Sequence, residues 1–315
     1  MSCAKNKIKP MVILQINQLS KQYGSLRAVD NLHLTIEQGH VYGLLGPNGS
    51  GKSTTLGMVL GAIKPTSGTF EWFGGKYGND AARLRIGALL ETPNFYPYMN
   101  AVQNLKVIAH IKGVKGNNFD ELLRLVNLEH RKRDAFKAYS LGMKQRLAVA
   151  SVLLGDPEVV IFDEPTNGLD PVGIHEMREI LLKVASMGKT VFMASHILDE
   201  VEKVCSHVAI MKNGKLLATG SVGAILGEQV TVALYSADLQ ELHTSLGESQ
   251  LVTSLTREAD CVVVTLGDET TSEDLNKYLF AHGIVLSQLR IRKRTLEQEF
   301  IEITRNEGVQ TSANR

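Results

Sequence analysis

The chain has 315 residues, of which 43% are hydrophobic and 21% charged, and its 34 basic and 33 acidic side chains leave a net charge of +1. This is the composition of a soluble globular protein long enough for two domains, and it excludes intrinsic disorder. It gives no bulk positive charge to recruit a nucleic acid, so none is expected as a partner. Three cysteines, Cys3, Cys205 and Cys261, lie far apart with no CxxC spacing, which fits a reducing cytoplasm and no structural zinc. No apolar run approaches the roughly 18 residues of a membrane helix.

Residues 1–10 carry Lys5, Lys7 and Lys9 ahead of the short run "MVIL", too short for a secretory core. They read as a loose extension, or as the product of a start site placed too early. "VILQINQL", "LHLTI" and "VYGLLG" then read as strands. The pattern turns helical through "STTLGMVLGAI" and returns to strand in "GTFEWF" and "RIGALLE". From Ala101 to about Leu154 apolar residues recur at helical spacing. "EVVIF" has the doubly apolar pattern of a strand buried in a parallel sheet. A helix over 173–187, the strand "TVFMAS", a helix at "LDEVEKV" and a hairpin "HVAIMKNGKLLATG" follow, with Asn213-Gly214 as the turn.

This alternation predicts an α/β core with a parallel sheet over 11–220 and a helical subdomain inserted at about 98–150. "GSVGAILGEQ" marks a boundary. Beyond it, alternating strand and helix patterns predict a small C-terminal α+β domain over 227–306, closed by a helix whose apolar stripe is Leu296, Phe300 and Ile303. That stripe is expected to pack on its own small domain. The basic run "RIRKR" at 290–294 reads as a solvated strand end. Residues 307–315 read as a flexible tail.

"GPNGSGKST", Gly46 to Thr54, fits GxxxxGK[ST] between a strand and a helix. The residue types follow from the chemistry. Gly46, Gly49 and Gly51 let backbone N–H groups of the loop after Pro47, from Asn48 to Ser50, turn toward phosphate oxygens. The helix start adds its dipole. Lys52 supplies a compact charge for the outer phosphates, and the Ser53 hydroxyl is a hard ligand for Mg²⁺. No guanine-reading NKxD motif is present, which favours ATP. A second acidic centre closes "VVIFDEP". Asp163, at a strand tip, can hold Mg²⁺ through water, and Glu164 is placed to polarise a water against the γ-phosphate. "MASH" brings His196 to another strand end. At the carboxyl edge of a parallel sheet, Gly46, Asp163 and His196 converge on one crevice. The other eight histidines read as structural.

With these motifs in this order, the chain resembles the ATP-binding subunits of ABC transporters, a P-loop NTPase fold, over about residues 11–220. The resemblance implies that Tyr23, in "KQYGSLRAVD", stacks on adenine. It places "YSLGMKQR" in the slot of the LSGGQ signature, with Ser140 and Gly142 matching, Leu141 in place of the first glycine and Met143 in place of the glutamine. It assigns "GLDP" to the D-loop, with Asp170 at a dimer contact, and His196 to the switch histidine. "LLETPNFYP" falls where the family has its Q-loop, so Glu91 stands where a glutamine touches Mg²⁺ and the attacking water. The family further implies a head-to-tail homodimer, ATP hydrolysis, and an integral membrane permease as partner at the cytoplasmic face of the cell membrane. "ETPNFYP" resembles the bacitracin-resistance and lantibiotic-immunity branch, and so an exporter of drugs or antimicrobial peptides. A soluble, non-transport ABC ATPase and an ATP-gated scaffold are the competing readings.

Overall fold

The computed structural model describes residues 11–75, 79–90, 94–114, 118–227, 231–267, 270–292 and 294–312. In chain order its elements are β1 (Val12–Tyr23), β2 (Leu26–Glu37), β3 (Val41–Leu45), α1 (Lys52–Val59), β4 (Ser67–Trp72), α2 (Asn79–Arg83), β5 (Ile86–Leu89), α3 (Ala101–Ile111), α4 (Phe119–Leu125), α5 (Leu141–Val152), β6 (Val159–Asp163), α6 (Pro171–Ser186), β7 (Thr190–Ser195), α7 (Leu198–Val204), β8 (His207–Lys212), β9 (Lys215–Ser221), α8 (Val222–Leu226), β10 (Thr231–Ser236), α9 (Leu239–Gly247), β11 (Val252–Arg257), β12 (Val262–Leu266), α10 (Ser272–Ala281), β13 (Leu286–Arg292) and α11 (Leu296–Ser312). The chain divides into two compact units, Met1–Val222 with Phe300–Arg315, and Gly223–Glu299.

The first unit is built on a six-stranded sheet, β5-β6-β7-β3-β8-β9. Its strands are parallel except β9, which returns from β8 through the Asn213-Gly214 turn. Every residue of β3 and β7 is buried, as the continuous apolar runs "VYGLL" and "TVFMAS" require of strands covered on both faces. A second, antiparallel sheet, β2-β1-β4, packs its apolar side over α1. Ile13, Leu14, Ile16 and Leu34 from that sheet meet Leu56 and Met58 of α1 and Ile161 and Phe192 of the large sheet in one core. α1 is therefore held from both sides, and its first turn opens at the carboxyl edge of β3.

Between β5 and β6, which pair directly, the chain leaves the sheet to form α3, α4 and α5. These helices are started by side chains of the expected kind. Asn100 and Gln103 make a reciprocal capping box on α3, and Ser140 caps α5.

The second unit orders its strands β11-β12-β10-β13, with α9 and α10 between them in sequence. This is a βαββαβ arrangement of ferredoxin-like type. Alternating Val232, Leu234, Val262 and Val264 pack on Leu242, Leu246, Leu275 and Leu279 of its helices. Its second unit closes at Glu299, where the sequence placed the end of the domain at 306. The difference lies in the final helix: Lys212 Nζ, at the end of β8, donates to Thr304 O at 2.9 Å and ties that part of α11 to the first unit. The backbone of α11 stays helical to Ser312, past the point where a flexible tail was expected to begin.

Candidate functional site

β3 delivers the chain to Gly46 and α1 begins at Lys52, so residues 46–51 must turn back over the sheet edge. The loop is gripped on both sides by backbone oxygens. A Cβ at Gly46 would collide with Met211 O and Ser50 Oγ, and one at Gly51, whose φ is +102°, with Ala28 O. The β8–β9 turn braces the loop from outside: Gly214 N donates to Ser50 O at 3.1 Å, and Gly214 O accepts from Asp30 N at 2.8 Å. Ser50 Oγ is buried and has no hydrogen-bond partner among the described residues.

α1 has no side-chain cap, whereas Asn100, Ser140, Asp170, Asp238 and Thr271 cap α3, α5, α6, α9 and α10. Its first-turn N–H donors and its dipole are left for an anion. Lys52 is 5% exposed and donates to Gly46 O at 2.8 Å and Pro47 O at 3.3 Å. Its Nζ also lies 3.4 Å from Glu164 Oε1. The other carboxylate oxygen, Glu164 Oε2, is 2.8 Å from His196 Nδ1 and accepts from His196 N at 3.3 Å. Lys52, Glu164 and His196, delivered by the ends of β3, β6 and β7, thus form one polar line. Glu164 holds a left-handed φ of 49°, fixed by bonds from its N–H to Ala194 O and from Asn167 N to its carbonyl. Backbone held in that region by its surroundings is a recurrent feature of functional sites. Asp163, half-buried, ends β6 immediately before it.

A cleft of about 460 Å³ opens above this line, with Asn48, Gly49, Gly51, Lys52, Ser53, Thr54 and Glu164 in its wall. Tyr23 also lines it, 47% exposed, with Lys21 Nζ 4.8 Å from its ring centroid. A cleft with an aromatic face, a buried lysine and an uncapped helix start suits a planar base carrying phosphates.

Ser140, Gly142 and Asp170 line a different cleft, of about 360 Å³. There the starts of α5 and α6 lie side by side. Ser140 Oγ accepts from Met143 N at 3.3 Å, and Asp170 Oδ1 from Gly173 N at 2.8 Å. Leu141, 43% exposed, leans on Gly168, and Gly142 faces Leu169. Glu91 lies outside the described residues.

The sequence matches the family model of the ABC transporter over residues 29–167. The bacitracin transport ATP-binding protein BcrA of Bacillus licheniformis is 37% identical over 302 residues, covering 92% of this chain and 97% of the relative. The chain belongs to the ABC transporter family of ATP-binding proteins. The lantibiotic transport ATP-binding protein SrtF of Streptococcus pyogenes is 40% identical over 205 residues, covering 65% of this chain and 89% of the relative. Among solved structures, cbiO1 of Clostridium perfringens, part of the ABC transporter complex cbiONQ, superposes with a TM-score of 0.60 at 30% identity, over 67% of this chain and 89% of that one. The protein is an ABC-type ATP-binding subunit and an ATPase, and it binds nucleotide. Among the described residues, no helix is long and apolar enough to cross a membrane.

Leu26, Arg27, Ala28 and Asn213 also line the cleft above Lys52, and sequence reasoning assigned none of them to it. Asn213 was visible only as half of a turn signal. Its place in the cleft comes from the pairing of β3 with β8, which sets the β8–β9 turn beside the phosphate loop.

Proposed function

We propose that this subunit binds MgATP in the Lys52 cleft, closes head to tail on a second copy, and uses the cycle to drive a separate membrane permease. One observation carries the dimer reading. The residues that would surround a triphosphate are split between two clefts of one chain, and a two-fold partner would supply the missing half. Ser140 and Gly142 of one copy would then complete the phosphate site of the other at the start of α5, with Asp170 at the contact.

Within one copy the roles follow from position. Tyr23 stacks on the base. Loop N–H groups of 48–51 and the first turn of α1, Lys52 to Thr54, cradle the phosphates. Binding requires Lys52 to exchange Gly46 O and Glu164 for phosphate oxygens, which frees Glu164 Oε1. His196 keeps Oε2. Oε1 then accepts the proton of a water whose oxygen attacks the γ-phosphorus, while the bond to the bridging oxygen breaks and ADP leaves. The Ser53 hydroxyl and Asp163 carboxylate are hard oxygen donors of the kind Mg²⁺ takes, and the ion would neutralise charge on the phosphates. Glu91 would join them.

The relatives named for bacitracin and lantibiotic transport support an exporter of drugs or antimicrobial peptides, with the subunit held at the cytoplasmic face of the membrane by its permease. The Glu164→Gln variant tests the enzymatic part. It should keep MgATP binding, lose about 10²–10⁴-fold in turnover, and run as a dimer in size exclusion with MgATP; full turnover would exclude Glu164 as the base. Tagged protein purified from native membranes should bring down a partner with several apolar segments of about 20 residues. Recovery only from the soluble fraction would favour a non-transport ABC ATPase.

A further inference from the structure

The β8–β9 turn touches three things at once. Asn213 lines the nucleotide cleft, Gly214 N holds the phosphate loop at Ser50 O, and Lys212 Nζ donates to Thr304 O of α11 at 2.9 Å. Met211, one residue before Lys212, presents the carbonyl that walls Gly46. The segment 211–214 is thus the outer jaw of the phosphate loop, and Lys212 anchors it to α11. α11 starts at Leu296 in the second unit and continues from Phe300 in the first. The chain also joins the turn to the second unit directly through β9, and α11 adds a second connection through the Lys212–Thr304 bond.

We propose that Lys212 is a positioning residue for nucleotide binding: by holding Thr304 O, it lets α11 fix the turn that braces the phosphate loop, and so lets the C-terminal unit set nucleotide affinity. The physical requirement is modest. Phosphate binding needs the loop N–H groups aimed in advance, and a loop whose outer jaw is loose must be ordered at the expense of binding free energy. Lys212 is half-buried, so its ammonium–carbonyl bond is only partly screened. The inference rests on the Lys52 cleft being the nucleotide site.

The test is a double-variant cycle on the full chain, read by calorimetric titration with MgATP. Lys212→Met keeps the stem and removes the donor; it should weaken binding about tenfold, roughly 1.4 kcal/mol. Lys212→Arg retains a donor and should bind within about twofold of wild type, roughly 0.4 kcal/mol. Two glycines in α11, Ile303→Gly with Thr304→Gly, loosen the helix and should weaken binding about tenfold, as Lys212→Met does. Combined with Lys212→Met, they should add nothing, because both act through one bond. A role in general stability alone would give losses that add and would not be rescued by arginine. Unchanged affinity in Lys212→Met, or additive losses in the combination, overturns the proposal. If Lys212→Met does not fold, Lys212→Leu, which also lacks a donor, replaces it under the same criteria. Lys52→Ala serves as the control: if it binds MgATP as wild type does, the site assignment fails, whatever Lys212 does.

Discussion

Both edges of the six-stranded sheet carry histidines, and they differ in what those histidines can do. At the carboxyl edge, His196 meets Glu164, Glu164 meets Lys52, and the line faces an open cleft of about 460 Å³. At the amino edge, His207 lies between His40 and Tyr42, with ring centroids 4.5 and 4.9 Å away. Tyr42 and His207 are partners in the β3–β8 ladder. There the polar groups are satisfied locally: Tyr42 OH accepts from Glu37 N at 3.1 Å, and His207 Nδ1 lies 3.0 Å from Ser206 Oγ. The difference comes from the crossover rule. Strands that run into helices place helix N-termini, with their free N–H groups, at the carboxyl edge. A histidine there meets a carboxylate and an incoming anion. A histidine at the other edge packs as an aromatic, and burial, with His40 beside it, pushes His207 below its ordinary value.

Variants at the two edges should therefore separate chemistry from stability. The largest effect is expected at the carboxyl edge. Lys52→Ala should weaken MgATP binding about 30- to 5,000-fold, the 2–5 kcal/mol of a buried charged contact, measured by titration calorimetry; unchanged affinity would break the comparison outright. His196→Ala should lower turnover by about 10²-fold, because Glu164 loses the partner that aims it. Its MgATP affinity should change little, and an equal loss in both would make His196 part of the binding site instead. The smallest effect belongs to the amino edge. His207 has a lowered folded pKa, so below about pH 6.5 the unfolded chain takes up its proton before the folded one does. Stability contributed above that pH is then lost as pH falls through the window between the two values. His40, Tyr42 and Ser206 lie beside the ring, and the charge of Glu37 acts on it. His207→Asn should flatten the fall of the thermal midpoint over that range while leaving turnover within about twofold. A fall in turnover like that of His196→Ala would erase the distinction between the edges.

Much of the carboxyl edge was legible because its chemistry fixes residue types at short spacing. Gly46 to Thr54, Asp163 with Glu164, and His196 each announce themselves within one strand end and the turn after it. Tyr23 did not. A tyrosine in a strand has no local mark of a place in a cleft, and only the family resemblance raised it; the structure puts it in the wall of the Lys52 cleft. Asn213 and the brace from Gly214 to Ser50 depend on which strands become neighbours, which no local pattern states. The second unit was legible as alternating strand and helix, but not as a ferredoxin-like sheet. That order is set by β10 pairing with both β12 and β13, across sequence gaps far longer than any motif. The bond from Lys212 to Thr304, which carries the end of α11 to the first unit, spans 92 residues and leaves no sequence signal.

The account turns on the claim that the two clefts of one chain are halves of a shared site. Cross-linking tests it most directly. Asn48→Cys and Leu141→Cys are placed on separate chains in a Glu164→Gln background, with Cys3, Cys205 and Cys261 replaced by serine, and mixed with a short bis-maleimide. The account predicts a cross-linked dimer that forms with MgATP, only in the mixture, and not from either chain alone. Cross-linking of Asn48→Cys chains to themselves, or no MgATP-dependent product in the mixture, would contradict the head-to-tail arrangement.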